Sequence, residues 1–234
     1  MSPNKRRAEH NATVRFAVRI VTALVRAALA LLTFGAIATQ LGHELSKGPP
    51  IGFRLTNFFS FFTIESNVFA AAVLLAIVAP LSRSNAPRLA MLRGAAVLYM
   101  AVTGAVYSLL LSGSQEALQT TVPWVNVVLH YFMPAAIVCD WLAAPCPLPQ
   151  RYAWILARWM VFPIAYVLFS LVRGRMTGWY PYPFLNPALH GAAGVAIVVT
   201  AIAVSSVFAG ALVIWYAKLR LAPRPAAARQ GLHR

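Results

Sequence analysis

The sequence predicts an all-α, polytopic membrane protein: a six-transmembrane-helix bundle with both termini in the cytoplasm. Three observations lead there. Hydrophobic residues make up 60% of the 234 positions and charged residues 11%, whereas a soluble domain has about 45–50% and about 25%. So few polar groups cannot cover the surface of a soluble globule, and intrinsic disorder needs the opposite composition. Six stretches reach the roughly 20 apolar residues of a membrane helix: 18–41, 58–80, 92–111, 122–143, 152–172 and 189–216. Finally, with the N-terminus placed inside, only Lys47, Arg54, Arg173 and Arg175 of the 20 basic residues fall on the outer side. That asymmetry is the positive-inside signal. The expected location is the inner (plasma) membrane, multi-pass.

The organisation follows from these segments. Residues 1–15 read as a cytoplasmic basic tail, 16–217 as the transmembrane domain and 218–234 as a second basic, Pro/Ala-rich tail. The first segment has a rival reading as a signal peptide, with Lys5-Arg6-Arg7 before it and Ala36-Ile37-Ala38 as a cleavage site. Against cleavage, the apolar run continues to Leu41, and Arg19 and Arg26 sit early in it. Prolines cluster at segment ends, where they read as boundaries; Pro134 and Pro163 lie inside segments and predict kinks. A net charge of +15 in a soluble protein would point to nucleic acid; here it reports cytoplasmic loops, and no nucleic-acid partner is expected. The two cysteines, Cys139 and Cys146, lack metal-site spacing. No phosphate-binding glycine loop, H-E-x-x-H or Cys–His pattern is present, so neither metal nor cofactor is expected. Asn186-Pro187-Ala188 matches the water-channel tripeptide, but those channels need two copies and this chain has one.

Polar residues inside the segments are the candidates for function, because burying them in lipid is costly. Ser60, Thr63 and Asn67 share helical spacing, as do Asn126 and His130. Thr63, Glu65, Asn67, Asn126 and His130 fall at similar depth in the outer half, with Arg173 and Tyr182 in the adjoining outer loop. Each also has a structural use: hydroxyls and amides bond across helices, the loop aromatics suit an interface belt, and Asp140 has Arg151 and Arg158 nearby as ion-pair partners. Glu65, an intramembrane carboxylate, predicts a partner in Arg54 or Arg173. Together the set predicts one shared polar pocket. A threonine hydroxyl needs an adjacent base to act as nucleophile, and histidine supplies one near neutral pH. Asn67, Asn126 or a backbone N–H can stabilise an oxyanion, and Arg173 can hold an acidic lipid head.

Phe62-Thr63-x-x-Ser66-Asn67, Asn126-x-x-x-His130-x-x-x-Pro134 with Asp140-Trp141, Arg173-Gly174, and Gly178-Trp179-Tyr180-Pro181-Tyr182-Pro183-Phe184-Leu185 resemble the bacterial proline-rich six-transmembrane family. More distantly, the pattern is similar to the androgen-induced-gene family of integral-membrane hydrolases, which cleave fatty acid esters of hydroxy fatty acids with an intramembrane threonine and a histidine. The resemblance implies Thr63 as nucleophile and His130 as its partner. Glu65, Asn67, Asn126, Arg173 and Tyr182 are then the substrate-binding or oxyanion candidates. The implied substrate is a lipid ester drawn from the membrane. The alternative expectation is a non-enzymatic lipid- or small-molecule-binding protein or carrier using the same pocket. Oligomeric state is left open by the sequence.

Overall fold

The computed structural model describes residues 3–79, 86–113 and 122–222. Pro80, Arg83, Asn85 and Ala117 lie outside these, as do Arg224, Arg229 and Arg234 of the C-terminal tail. Every regular element among the described residues is helical. In chain order they are α1 (Pro3–Ser46), α2 (Ile51–Phe58), α3 (Phe62–Val78) and α4 (Ala86–Val106), which runs on as a π-helical stretch, Tyr107–Leu111. Then come α5 (Pro123–Val127), a second π-helical stretch (Val128–Phe132), α6 (Met133–Ala143), α7 (Tyr152–Thr177), a 3₁₀ turn (Pro183–Leu185) and α8 (Pro187–Leu221).

Five of the resulting rods are long and apolar enough to cross a membrane. The pair α2 and α3, bent by 65° at residues 59–61, makes a sixth if taken as one broken span. Large apolar side chains such as Leu109, Leu168, Ile197 and Phe208 stand exposed on the outside of the bundle. A soluble monomer does not carry apolar surface on that scale; a lipid-facing protein does. These features define the class as an all-helical protein built from membrane-length apolar helices.

The element boundaries depart from the sequence expectation in two places. The first apolar segment, expected from residue 18, continues as helix back through the basic stretch to Pro3: α1 has 44 residues and spans about 66 Å at 1.5 Å per residue. That is roughly twice the thickness of a hydrocarbon core. The second segment does not begin as a helix at residue 58. The chain turns at Phe59-Ser60 and the helix restarts at Phe62, so Ser60 does not share a helical face with Thr63 and Asn67. Its hydroxyl donates instead to the Thr56 carbonyl at 2.6 Å.

Helix α4 lies at the centre, packed against α3, α6, α7 and α8. Every residue from Arg93 to Met100 is buried. Close approach requires small residues at three crossings. A side chain at Gly94 would strike Trp159, one at Gly210 would strike Leu156, and one at Gly104 would meet Pro134 Cβ at 2.9 Å.

The two internal prolines explain much of the packing. Proline has no N–H, so it orphans a carbonyl one helical turn back, which inside a membrane must find another donor. Pro163 stays within α7 without ending it, and the Trp159 carbonyl four residues earlier accepts from the Tyr99 phenol of α4 at 2.9 Å. Pro134 has a larger effect. Ahead of it the chain winds as a π-helix, with the Met133 N–H reaching the Val128 carbonyl. The next carbonyl in that register, Leu129, would need a hydrogen from Pro134. It accepts instead from Asn67 Nδ2 of α3 at 3.1 Å.

One further expectation is corrected. Asp140 pairs with neither Arg151 nor Arg158. Arg26 Nε of α1 meets one carboxylate oxygen at 2.9 Å and Arg93 NH2 of α4 the other at 2.6 Å, while Arg158 lies over the Trp154 ring. The sequence-adjacent arginines lost because Asp140 points into the α1/α4 side of α6, where a planar guanidinium can bond it from each flank. Asn186-Pro187-Ala188 is a helix start: the Asn186 side chain accepts from the Ala188 N–H at 2.9 Å, with proline in the first turn of α8.

Candidate functional site

Thr63 enters the site because α2 and α3 are broken just before it. It occupies the first turn of α3, whose start has no capping side chain of its own. The Thr63 N–H donates to the Tyr182 phenol oxygen at 3.2 Å, so a residue 119 positions away supplies the missing acceptor. The neighbouring Tyr166 phenol donates to the Ser60 carbonyl at 3.0 Å, fixing the turn from α7.

The loop that brings Tyr182 here is the aromatic-proline run after α7. Gly178 ends that helix in the left-handed region (φ 72°), its N–H bonded to the Gly174 carbonyl, a conformation that only glycine adopts cheaply. Tyr180 then folds over Gly174, where any side chain would collide with its ring. Trp179 lies edge-on to Phe61, Tyr182 meets Phe61 the same way and stacks on Phe184. Tyr182 is 5% exposed. Burial pushes its phenol above the ordinary value, against the hydrogen bonds from Thr63 that pull it down; it is therefore a neutral O–H.

His130 sits in the π-helical stretch, 4% exposed. Its Nδ1 lies 3.2 Å from the Asn126 carbonyl. A carbonyl can only accept, so Nδ1 carries the hydrogen and Nε2 is left with a lone pair. The ring stacks on Tyr107 at a centroid distance of 3.9 Å. The imidazole is thus held in one tautomer and one plane.

Two cavities meet at Thr63. The larger, about 280 Å³, lies between α3, α4, α7 and α8, with walls that include Val106, Met160, Val167, Val199 and Ile202. Its hydroxyls are mostly committed: Thr103 donates to the Tyr99 carbonyl and Ser206 to the Ile202 carbonyl. Ile164 and Leu168, 53% and 59% exposed, belong to its lining, so it reaches the outer apolar surface at α7. The smaller cavity, about 20 Å³, is lined by Gln40, Thr63, Asn126, His130 and Tyr182 together with apolar neighbours. Thr63 and Tyr182 form part of both walls.

Of the sequence candidates, Thr63, Asn126, His130 and Tyr182 therefore come together. Asn67 lies beside them, but both hydrogens of its amide are used, on the Thr63 carbonyl at 2.8 Å and the Leu129 carbonyl. It braces α3 to the π-helical stretch and has no donor left for an oxyanion. Glu65 and Arg173 line neither cavity, and the expected Glu65 ion pair is not formed. Arg173 donates to Asn57 Oδ1 and lies over Trp179. Arg54 donates to the Gly48 and Lys47 carbonyls. Geometry decides this: Glu65 follows Thr63 by two positions and so projects from another side of α3.

Three contributors were not singled out from the sequence. Gln40 is an amide in an otherwise apolar stretch, a legible signal. Tyr107 and Thr103 carry none, since an aromatic or a threonine in a membrane helix is as readily lipid-facing as buried. No protein-family model, curated protein or solved structure matches the chain. Among the described residues no group of His, Cys, Asp and Glu is placed to hold a metal.

Proposed function

We propose that the protein is an intramembrane hydrolase of lipid esters, with Thr63 Oγ1 as nucleophile and His130 Nε2 as base. In this reading it crosses a bacterial inner membrane six times with both ends cytoplasmic, and it belongs with the families it resembles in sequence. The observation that carries the reading is that Thr63 lines both an apolar chamber open to the lipid-facing surface and a second, small cavity that His130 also lines. The chamber volume is near the lower end of the roughly 300–1,000 Å³ typical of small-molecule sites. A fatty acyl chain entering past Ile164 and Leu168 needs no polar partner there. In the first step Thr63 Oγ1 bonds to the ester carbonyl carbon while its proton passes to Nε2. Collapse of the tetrahedral intermediate breaks the carbon–oxygen bond to the leaving alcohol, which takes that proton.

Incubating the purified protein with an ester-directed alkyl phosphonate and mapping the adduct by mass spectrometry tests the assignment. Labelling at Thr63, lost in Thr63→Ala and His130→Ala, is expected. Labelling that survives Thr63→Ala removes the mechanism. One observation favours the rival, a non-enzymatic lipid-binding or carrier protein: among the described residues Thr63 and His130 share no direct hydrogen bond. In that case Thr63→Ala weakens lipid binding modestly and no adduct forms at Thr63.

A further inference from the structure

The small cavity between α1, α3 and the π-helical stretch has a chemistry of its own. Asn126 is 8% exposed and its Oδ1 is buried with no hydrogen-bond partner. An orphaned buried acceptor of this kind is costly and marks a place where a donor belongs. Among the other polar groups of the lining, which include Gln40, Thr63 and Tyr182, His130 Nε2 is also an acceptor, because Nδ1 holds the hydrogen. Asn126 and His130 line the cavity together with Thr63. Two acceptors cannot satisfy each other, and they cannot hold an oxyanion. They match a molecule that brings two hydrogens.

The size is equally restrictive. A cavity needs roughly 10–15 Å³ on this measure to take one water and must supply 2–4 polar partners. The cavity measures about 20 Å³, room for one water and little else. Thr63 stands between it and the apolar chamber, so a chain bound in the chamber leaves the small cavity clear.

We propose that this cavity is the binding site of the deacylating water, held by hydrogen bonds to Asn126 Oδ1 and His130 Nε2 on the side of Thr63 opposite the acyl chain. The proposal rests on the hydrolase reading and extends it by assigning Asn126 as a water-positioning residue. The step balances without a further reactant. The water oxygen bonds to the acyl carbon of the Thr63 ester, one water proton moves to Nε2, the bond from the acyl carbon to Thr63 Oγ1 breaks, and Oγ1 takes that proton. The products are a free threonine hydroxyl and a fatty acid.

The test uses the full chain in detergent micelles and p-nitrophenyl decanoate. Nitrophenol release reports acylation, and the acid-quenched protein, analysed by mass spectrometry, reports the decanoyl ester on Thr63. In Asn126→Leu, which fills the space but removes the acceptor, acylation should persist. Deacylation should slow roughly 100-fold, the scale of misplacing one reactant, so that decanoyl-Thr63 accumulates. A merely structural role would slow both steps alike. Unchanged deacylation in Asn126→Leu overturns the water site and leaves the hydrolase reading intact. Release of nitrophenol that is unaffected by Thr63→Ala overturns the hydrolase reading itself. The wild type provides an arm that needs no variant to fold: in added methanol it should release decanoic acid with little methyl decanoate, since methanol brings one hydrogen to a site with two acceptors. Methyl ester formed in proportion to the methanol present overturns the water site.

Discussion

Asn67 donates to the Leu129 carbonyl across 3.1 Å, a bond made possible because the residue that would otherwise serve that carbonyl in the π-helical register is Pro134. The relationship ties α3, which carries Thr63, to the π-helical stretch that carries His130. Asn67 holds the Thr63 carbonyl with the same amide, and Leu129 is the immediate neighbour of His130. Single-turn π-helical stretches inside α-helices are frequent at functional sites because they re-aim side chains.

Pro134→Ala restores the missing N–H and allows residues 128–134 to rewind as an α-helix. One residue is worth about 100° of rotation, enough to turn His130 out of the cavity. We expect the variant to be at least as thermally stable in detergent as the wild type, since proline is the poorest helix former. Phosphonate labelling at Thr63 should nonetheless be lost. A variant that labels normally would show that the π-helical winding does not position His130.

Asp140 accepts from both Arg26 and Arg93, with side-chain exposures of 12%, 6% and, for Asp140 itself, 15%. Arg93 also donates to the Ala144 carbonyl and the Cys146 sulfur, so it cannot easily swing away. Removing the carboxylate leaves two largely buried guanidinium groups facing one another. Asp140→Ala should cost about 3–5 kcal/mol, the usual penalty for breaking a buried pair from one side. Arg158→Ala, which removes a guanidinium lying 4.0 Å from the Trp154 ring centroid, should cost no more than about 1 kcal/mol. Thermal unfolding of the two variants in the same detergent compares them directly; equal losses would refute the claim that Asp140 locks α1 to α4 and α6.

The basic asymmetry of the sequence sets the topology expected of the chain. Periplasm-active reporters fused after Gly174 or at Ala117 should be active, and cytoplasm-active reporters at Asn85 or after Arg234 should be active. An externally active fusion after Arg234 means an odd number of crossings, and the bent pair α2 and α3 is then a re-entrant hairpin, not a span.

The overall architecture was legible in the sequence because its causes are local. A run of about 20 apolar residues must be a helix wherever it meets lipid, since no other open structure satisfies its backbone. Five rods follow from that rule directly. The sixth was read as one uninterrupted helix. The aromatic pairs Phe58-Phe59 and Phe61-Phe62 hide a turn, because hydropathy does not distinguish a helix from a bend between two buried rings. For the same reason Ser60 was placed on a face that does not exist.

At the site, the sequence alone determined which residues are expensive to bury: Thr63, Asn67, Asn126 and His130 stand out against apolar surroundings, and burial cost is a property of the side chain itself. What each does with its hydrogen-bonding capacity was decided only by tertiary structure. Asn67 and Asn126 look equivalent in the sequence, and each buries a side-chain oxygen with no partner, yet Asn67 commits both amide hydrogens to carbonyls whereas Asn126 lines the small cavity beside His130. Glu65 lost its anticipated arginine and Asp140 gained two from distant helices, because partners are chosen by which helix faces cross. The cause is geometric. Polarity is set residue by residue, whereas satisfaction depends on atoms within about 3 Å, and the carbonyl that Asn67 found was released by a proline on another helix.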